Sequence, residues 1–278
     1  MDLNFLQSLL FGFISGLTDI LPVSAQAHKA MMLKIFGLDS EPTVLRLLIH
    51  LATLGALYYC CRPQIIRISR QLKLAKIPKR RRKRPVDMRT IMDFKLLRTM
   101  VIPVVLGFLF YQKTSSLNHS LSWVALFTLI NAVILFLPAL LPTGNKDSRS
   151  LSRMEGVLMG LSGAASVLPG ISSVGAMTSV ASLCGTERSY GLNMTLLMQM
   201  AVTVILIFFD FLAIVSGNVG SLGFGILLGY LMAAAAAFVG VFLGIKTMRT
   251  MAVNIGFNGF AYYCLAFALL SFILYLMV

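Results

Sequence analysis

Apolar positions along this chain fall into long runs, not into the alternation expected of strands or the one-sided stripes of surface helices. Runs of roughly 18 or more apolar residues read as membrane-crossing helices. Thr43–Cys61, Ser120–Leu141, Leu192–Val215, Leu222–Gly244 and Phe257–Met277 read this way, and Leu96–Tyr111 is a shorter span with Pro103 inside it. Two further apolar stretches are interrupted. Leu3 to Phe36 carries Asp19, Pro22, Ser24, Gln26 and His28 close together, and Glu155 to Cys184 carries Pro169, Gly170, Ser172 and Ser173. A lone helix in lipid cannot satisfy such groups. Both stretches therefore read as broken, re-entrant helical segments that line a polar cavity.

The two interruptions use one device. Ser15-Gly16-x-x-x-x-Leu21-Pro22 recurs as Ser162-Gly163-x-x-x-x-Leu168-Pro169, followed by Gly170-Ile171-Ser172-Ser173-Val174-Gly175. Each half of the chain then holds one broken segment and three spans. Residues 1–142 form the first half, 143–153 a polar linker and 154–278 the second half. The expected fold is an all-α polytopic membrane protein built from two inverted-topology repeats, with a site where they meet.

Charge sets the orientation. Of the 24 Lys and Arg, fourteen lie between Arg62 and Arg98, in a stretch that reads as a basic cytoplasmic loop. With that loop inside, the linker carrying Lys146, Arg149 and Arg153 and the turn carrying Lys246 and Arg249 also fall inside. The outer loop Ser216–Ser221 carries no charge. The first broken segment then opens outward and the second inward.

With 58% hydrophobic and 12% charged residues, the chain carries about half the charge of a soluble domain, which excludes that class. The apolar start runs into the first interruption, so no separate signal peptide is expected. The net charge of +14 comes from the basic stretch, which reads as a contact with anionic membrane lipid and not with nucleic acid. Cys60, Cys61, Cys184 and Cys264 show no ligand spacing and read as buried thiols; no metal-ligating set is evident.

Ionisable groups at membrane depth are costly, so they mark candidate chemistry. They are Asp19, His28, Arg46, His50 and Asp210. Asp19, Ser24 and His28 are the candidate catalytic residues: an acid, a hydroxyl and an imidazole beside broken-helix amides suit phosphate binding and proton transfer. Arg46, His50, Gly170, Ser172, Ser173 and Gly175 are candidates for holding phosphate, the last four as an anion-binding backbone nest. The competing structural readings are an Asp19–Arg46 ion pair, a helix-packing His50, and Asp210 capping or snorkelling near the outer end of its span.

The stretch GLTDILPVSAQAH, Gly16 to His28, resembles the first signature of the undecaprenyl-diphosphate phosphatase family, also called the bacitracin-resistance protein family, which reads about E-G-L-T-E-F-L-P-V-S-S-T-G-H. Pro169 to Gly175 resembles the family's P-G-x-S-R-S-G, and Leu48 to Leu54 resembles its L-L-H-L-G-T-L. The resemblance implies a bacterial plasma-membrane enzyme that hydrolyses undecaprenyl diphosphate to undecaprenyl phosphate in cell-wall lipid-carrier recycling. It further implies an acid, histidine and serine site, a phosphate-holding arginine, and Mg²⁺ or Ca²⁺. A homodimer is a candidate assembly. The match departs from the family at the first glutamate, where Ser15 stands, at the second, where Asp19 stands, and at the arginine, where Ser173 stands. Two readings follow. Either Arg46 replaces the missing cation and hydrolysis persists, or the fold binds or moves polyprenyl phosphate without cleaving it.

Overall fold

The computed structural model describes residues 3–38, 40–82, 84–115, 117, 120–217, 223–254 and 257–277. The chain is all-α, with helices α1 (Phe5–Ile20), α2 (Ala25–Ile35), α3 (Thr43–Lys76), α4 (Met88–Phe108), α5 (Tyr111–Ser115), α6 (Leu121–Phe136), α7 (Arg153–Ala164), α8 (Ser173–Leu183), α9 (Arg188–Val215), α10 (Phe224–Asn254) and α11 (Asn258–Met277). Five of these are long and apolar enough to cross a membrane: Thr43–Lys76, Leu121–Leu140, Arg188–Val215, Phe224–Ala252 and Asn258–Met277. Most of the sixth expected span lies in α4, which ends at Phe108 before Tyr111 opens α5, and whose early turns carry Asp93, Lys95 and Arg98. Most of the expected outer loop, and Leu222 at the start of its span, lie outside the described residues.

Both interrupted stretches double back as helical hairpins. Asn4 and Gln7 close a capping box at the start of α1, and Ser152 and Glu155 close one at the start of α7. Pro22 follows α1, and the chain turns through Ser24, a non-glycine at φ +61°, into α2. The end of α2 returns to the start of α1, where Met32 and Phe36 pack with Leu3. In the second hairpin, α7 runs into a 3-10 turn, Ala165–Val167, and then Pro169-Gly170. Gly170 has φ +105°, and a Cβ there would lie 2.6 Å from the backbone N of Thr128, so no larger residue fits. The end of α8 returns to the start of α7: Gly185 O accepts from Lys146 N at 3.0 Å, and Lys146 pairs with Glu155 at 2.8 Å.

One side chain ties the two breaks together. Asn131, fully buried on α6, donates through Nδ2 to Pro22 O at 3.1 Å and accepts through Oδ1 from Ser172 N at 3.0 Å. Ser172 Oγ also donates to Leu21 O at 3.3 Å. Pro22 O and Ser172 N at the breaks are thus satisfied by α6, and Leu21 O by the other hairpin, as burial in lipid requires.

Small residues bring the helices close. A Cβ on Gly12 or Gly16 of α1 would fall 2.0 or 2.2 Å from the carbonyl oxygens of Ala233 or Ala237 of α10. Gly160 of α7 meets the backbone of Met100 on α4 in the same way. Around these contacts α3 packs on α9 and α10, and α6 on α11.

The stretch 62–98 is not the loop the charge count suggested. Helix α3 continues through Pro63 to Lys76, a short 3-10 turn covers Lys79–Arg81, and α4 begins at Met88. Lys, Arg, Gln and Leu are good helix formers, so charge moves the chain into water without ending the helix; Pro78 does that. This end of the molecule is fastened by Asp93, a buried acid that accepts from Arg67 at 3.2 Å, Ser148 Oγ at 2.6 Å and Tyr190 OH at 3.0 Å. Nearby in the linker, the Arg149 side chain donates to Asp147 and holds its carboxyl below the usual range.

Two substitutions test this packing. Gly16→Ala should push α1 off α10 and cost about 1–3 kcal/mol, whereas Gly55→Ala, whose nearest neighbour would be the Phe238 ring at 3.8 Å, should be nearly neutral. Asn131→Leu should leave Ser172 N unpaired, at about 1–3 kcal/mol, and Pro22 O with the weak Cys264 Sγ donor at 3.6 Å alone. Thermal unfolding of the purified protein in detergent reads both.

Candidate functional site

A cavity of about 250 Å³ lies where the two hairpin tips meet. From the first hairpin Thr18, Asp19, Ser24, Gln26 and Lys29 face it; from the second, Ser166, Ser172 and Ser173. Helix α3 contributes Arg46 and His50, and α9 contributes Gln199. Leu38, Ser40, Glu41 and Tyr111 also line it. They sit beside the start of α3 and the end of α4, so the cavity reaches toward the end of the molecule opposite the basic stretch.

Two helix N-termini point into this space. Ser24 caps α2, its Oγ accepting from Ala27 N at 3.4 Å, and Ser172 caps α8, its Oγ accepting from Gly175 N at 3.1 Å. The remaining amides of those first turns have no helical partner and carry the positive end of each helix dipole, so they attract an anion. Gly175 lies under Pro22, where a Cβ would come within 2.8 Å, and so serves close approach of the hairpins. Gly170 serves the break itself. Neither glycine lines the cavity.

The polar side chains form two linked groups. Ser173 Oγ donates to Gln199 Oε1 at 2.6 Å, and Gln199 Nε2 donates to Asp19 Oδ2 at 3.5 Å. Across the cavity, Arg46 Nε meets Asp210 Oδ1 at 2.5 Å and His50 Nδ1 meets Asp210 Oδ2 at 2.6 Å. Asp210 is 1% exposed, so it neither caps nor snorkels; it is the shared acceptor for Arg46 and His50. Arg46 pairs with Asp210 and not with Asp19. Lys29 pairs with Glu41 at 3.1 Å.

His28 does not face the cavity. Its Nδ1 contacts Ser24 O at 2.8 Å, its Nε2 contacts Tyr263 OH at 2.7 Å, and its ring stacks on Phe267 with centroids 4.2 Å apart. The helical period explains this. Gln26, Lys29 and Leu33 form one face of α2, and His28 is rotated about 100° from Lys29, toward α11. The cavity thus gathers Asp19, Ser24, Arg46, His50, Ser172 and Ser173, and leaves His28 outside.

Sequence reading missed Gln199, Lys29 and Asn131. Gln199 and Asn131 are lone amides in otherwise apolar runs, which is a readable signal once amides are weighed beside charges. Among the described residues no three His, Cys, Asp or Glu side chains form a group that could hold a metal ion. These residues provide no preformed cage for the divalent cation that the resemblance implies.

Comparison with known proteins places these features in a family. The sequence profile of bacitracin resistance protein BacA matches residues 8–270. An undecaprenyl-diphosphatase from Methanobrevibacter smithii is 25% identical over 272 residues, covering 94% of each chain. One from Carboxydothermus hydrogenoformans is 24% identical over 261 residues, again 94% of each. Undecaprenyl-diphosphatase 2 of Bacillus thuringiensis is 26% identical over 270 residues, 96% of this chain and 97% of its own. With the profile spanning nearly the whole chain, this multi-pass membrane protein belongs to the bacitracin resistance protein BacA family.

Proposed function

We propose that this chain hydrolyses undecaprenyl diphosphate to undecaprenyl phosphate and inorganic phosphate in the cavity between the hairpin tips. The observation that carries the reading is the convergence of two capped helix N-termini, at Ser24 and Ser172, on one space that also holds Asp19, Lys29 and Arg46. Amides and cations suit the diphosphate, and they are worth most where water is scarce. The lipid tail would stay in the membrane.

Asp19 is the proposed general base. It takes a proton from a water as the water oxygen bonds to the terminal phosphorus. The phosphorus–oxygen bond to the inner phosphate breaks, and undecaprenyl phosphate leaves with that oxygen. Gln199, donating to Oδ2, orients the carboxylate. A serine nucleophile is less favoured: Ser173 gives its proton to an amide oxygen, which is not a base, and Ser24 caps α2. His28 acts as a positioning residue that fixes the turn at Ser24 against α11.

We further propose that the halves are inverted repeats. Helix α1 packs on α10 as α7 packs on α4, and α10 packs on α3 as α4 packs on α9, so exchanging the halves exchanges the contacts. The basic end then faces the cytoplasm of a bacterial plasma membrane, and the cavity opens to the far side. One observation favours a second reading, in which the chain binds or moves polyprenyl phosphate. Arg46 is already matched by Asp210, where a phosphatase gains most from a cation free to meet developing charge.

Phosphate release by purified protein from undecaprenyl diphosphate separates these readings. Asp19→Asn should lower kcat by about 10²–10⁴-fold, as loss of a general base does. Ser173→Ala should cost less than about tenfold, since it removes one neutral hydrogen bond, worth roughly 1 kcal/mol. Equal damage from the two would contradict the water mechanism. No release by the wild type, with saturable binding of undecaprenyl phosphate, would select the carrier reading.

A further inference from the structure

A second groove lies between α4 and α7, remote from the catalytic proposal. It has a volume of about 1070 Å³. The glycine contacts fix the register: Gly156 meets Leu96, Gly160 meets Met100 and Pro103, and Ala164 meets Gly107. Both helices therefore run in the same direction, and their first turns lie at the same end. That end carries Lys95, Arg98, Arg149 and Arg153, all exposed and all lining the groove. Beyond them the walls are apolar, including Ile102, Leu106, Phe110 and Leu161, each more than half exposed. Among the described lining residues there is no carboxylate.

Pairing separates these cations from their neighbours. Arg67, Arg89, Lys146 and Arg149 each have a carboxylate partner. Lys95, Arg98 and Arg153 form no ion pair within the chain among the described residues. Three unmatched cations at the mouth of an apolar trough ask for one kind of occupant: a phosphate ester carried on hydrocarbon. From Arg98 to Phe110 the groove rises about 18 Å at 1.5 Å per residue. That is close to the ~15 Å of hydrocarbon in one leaflet.

We propose that this groove binds one anionic glycerophospholipid of the leaflet at the basic end of the molecule. The headgroup phosphate lies on Lys95, Arg98 and Arg153, and one acyl chain lies along Leu106 and Leu161. The attraction of a phosphodiester to clustered cations near a membrane surface supplies the selectivity over neutral lipid. The site is separate from the cavity and does not depend on hydrolysis.

Native mass spectrometry of the full chain, released from detergent containing equal phosphatidylglycerol and phosphatidylcholine, tests this. The expected result is one phosphatidylglycerol retained, with at least fivefold preference over phosphatidylcholine. The triple variant Lys95→Gln, Arg98→Gln, Arg153→Gln should lose that preference. These residues are exposed, so the fold should survive, and Lys79→Gln, Arg80→Gln, Arg81→Gln serves as a charge-matched control that keeps the preference. Equal loss in both variants would overturn the groove in favour of diffuse charge. An unchanged preference in the triple variant, a lipid-free dimer, or equal retention of phosphatidylcholine by the wild type would each overturn it as well.

Discussion

A helix that stops inside a bilayer leaves amides and carbonyls that hydrocarbon cannot satisfy, and this fold depends on how that problem is solved twice in one place. Asn131 accepts from Ser172 N and donates to Pro22 O, so each break is completed through the other. The serines at the new helix starts cap one amide each and leave the rest directed at a shared cavity. The proposed anion site is therefore built from the amides that remain once lipid burial has been satisfied at the two breaks. Gly170, held at φ +105° against Thr128, and Gly175, under Pro22, let the two turns come close enough for this to happen.

The charges around the cavity are arranged with the same economy. Asp210, buried on α9, is shared by Arg46 and His50. A buried carboxylate without such partners would be strongly unfavourable, so the three residues form one unit. They hold a cation at the cavity wall without leaving its charge exposed to lipid. Ser173 stands where the resembling signature has arginine and instead joins Gln199 and Asp19 in a neutral-to-acid chain. The cation at the cavity wall, Arg46, thus stands on α3 and not on α8 where the signature has arginine, whereas Asp19 keeps the place of the signature's second glutamate.

Long-range order was legible in the sequence where the physics is one-dimensional. Span length and the two polar interruptions follow from how much apolar chain a bilayer needs and what it rejects. The end of α3 was not, because the fourteen cations of the basic stretch were counted as loop although Lys and Arg extend a helix as readily as they leave the membrane. That Asp19, Arg46 and Ser173 line a common cavity was legible because polar groups in apolar runs stand out. Side-chain direction was not: His28 and Lys29 are adjacent, yet one stacks on Phe267 and the other lines the cavity. Partner choice was also hidden. The pairing of Arg46 with Asp210, far away in sequence, depends on how α3 lies against α9, which no local pattern encodes.

The central claim is that the two hairpin tips form one phosphate site. It is tested most directly by an experimental structure of the protein bound to a non-hydrolysable bisphosphonate analogue of undecaprenyl diphosphate. The account predicts phosphonate oxygens against the first-turn amides of both α2 and α8, with Arg46 or Lys29 beside them and Asp19 facing the terminal phosphorus. A headgroup lodged at His28 and Tyr263, in the groove between α4 and α7, or on one hairpin tip alone would contradict it.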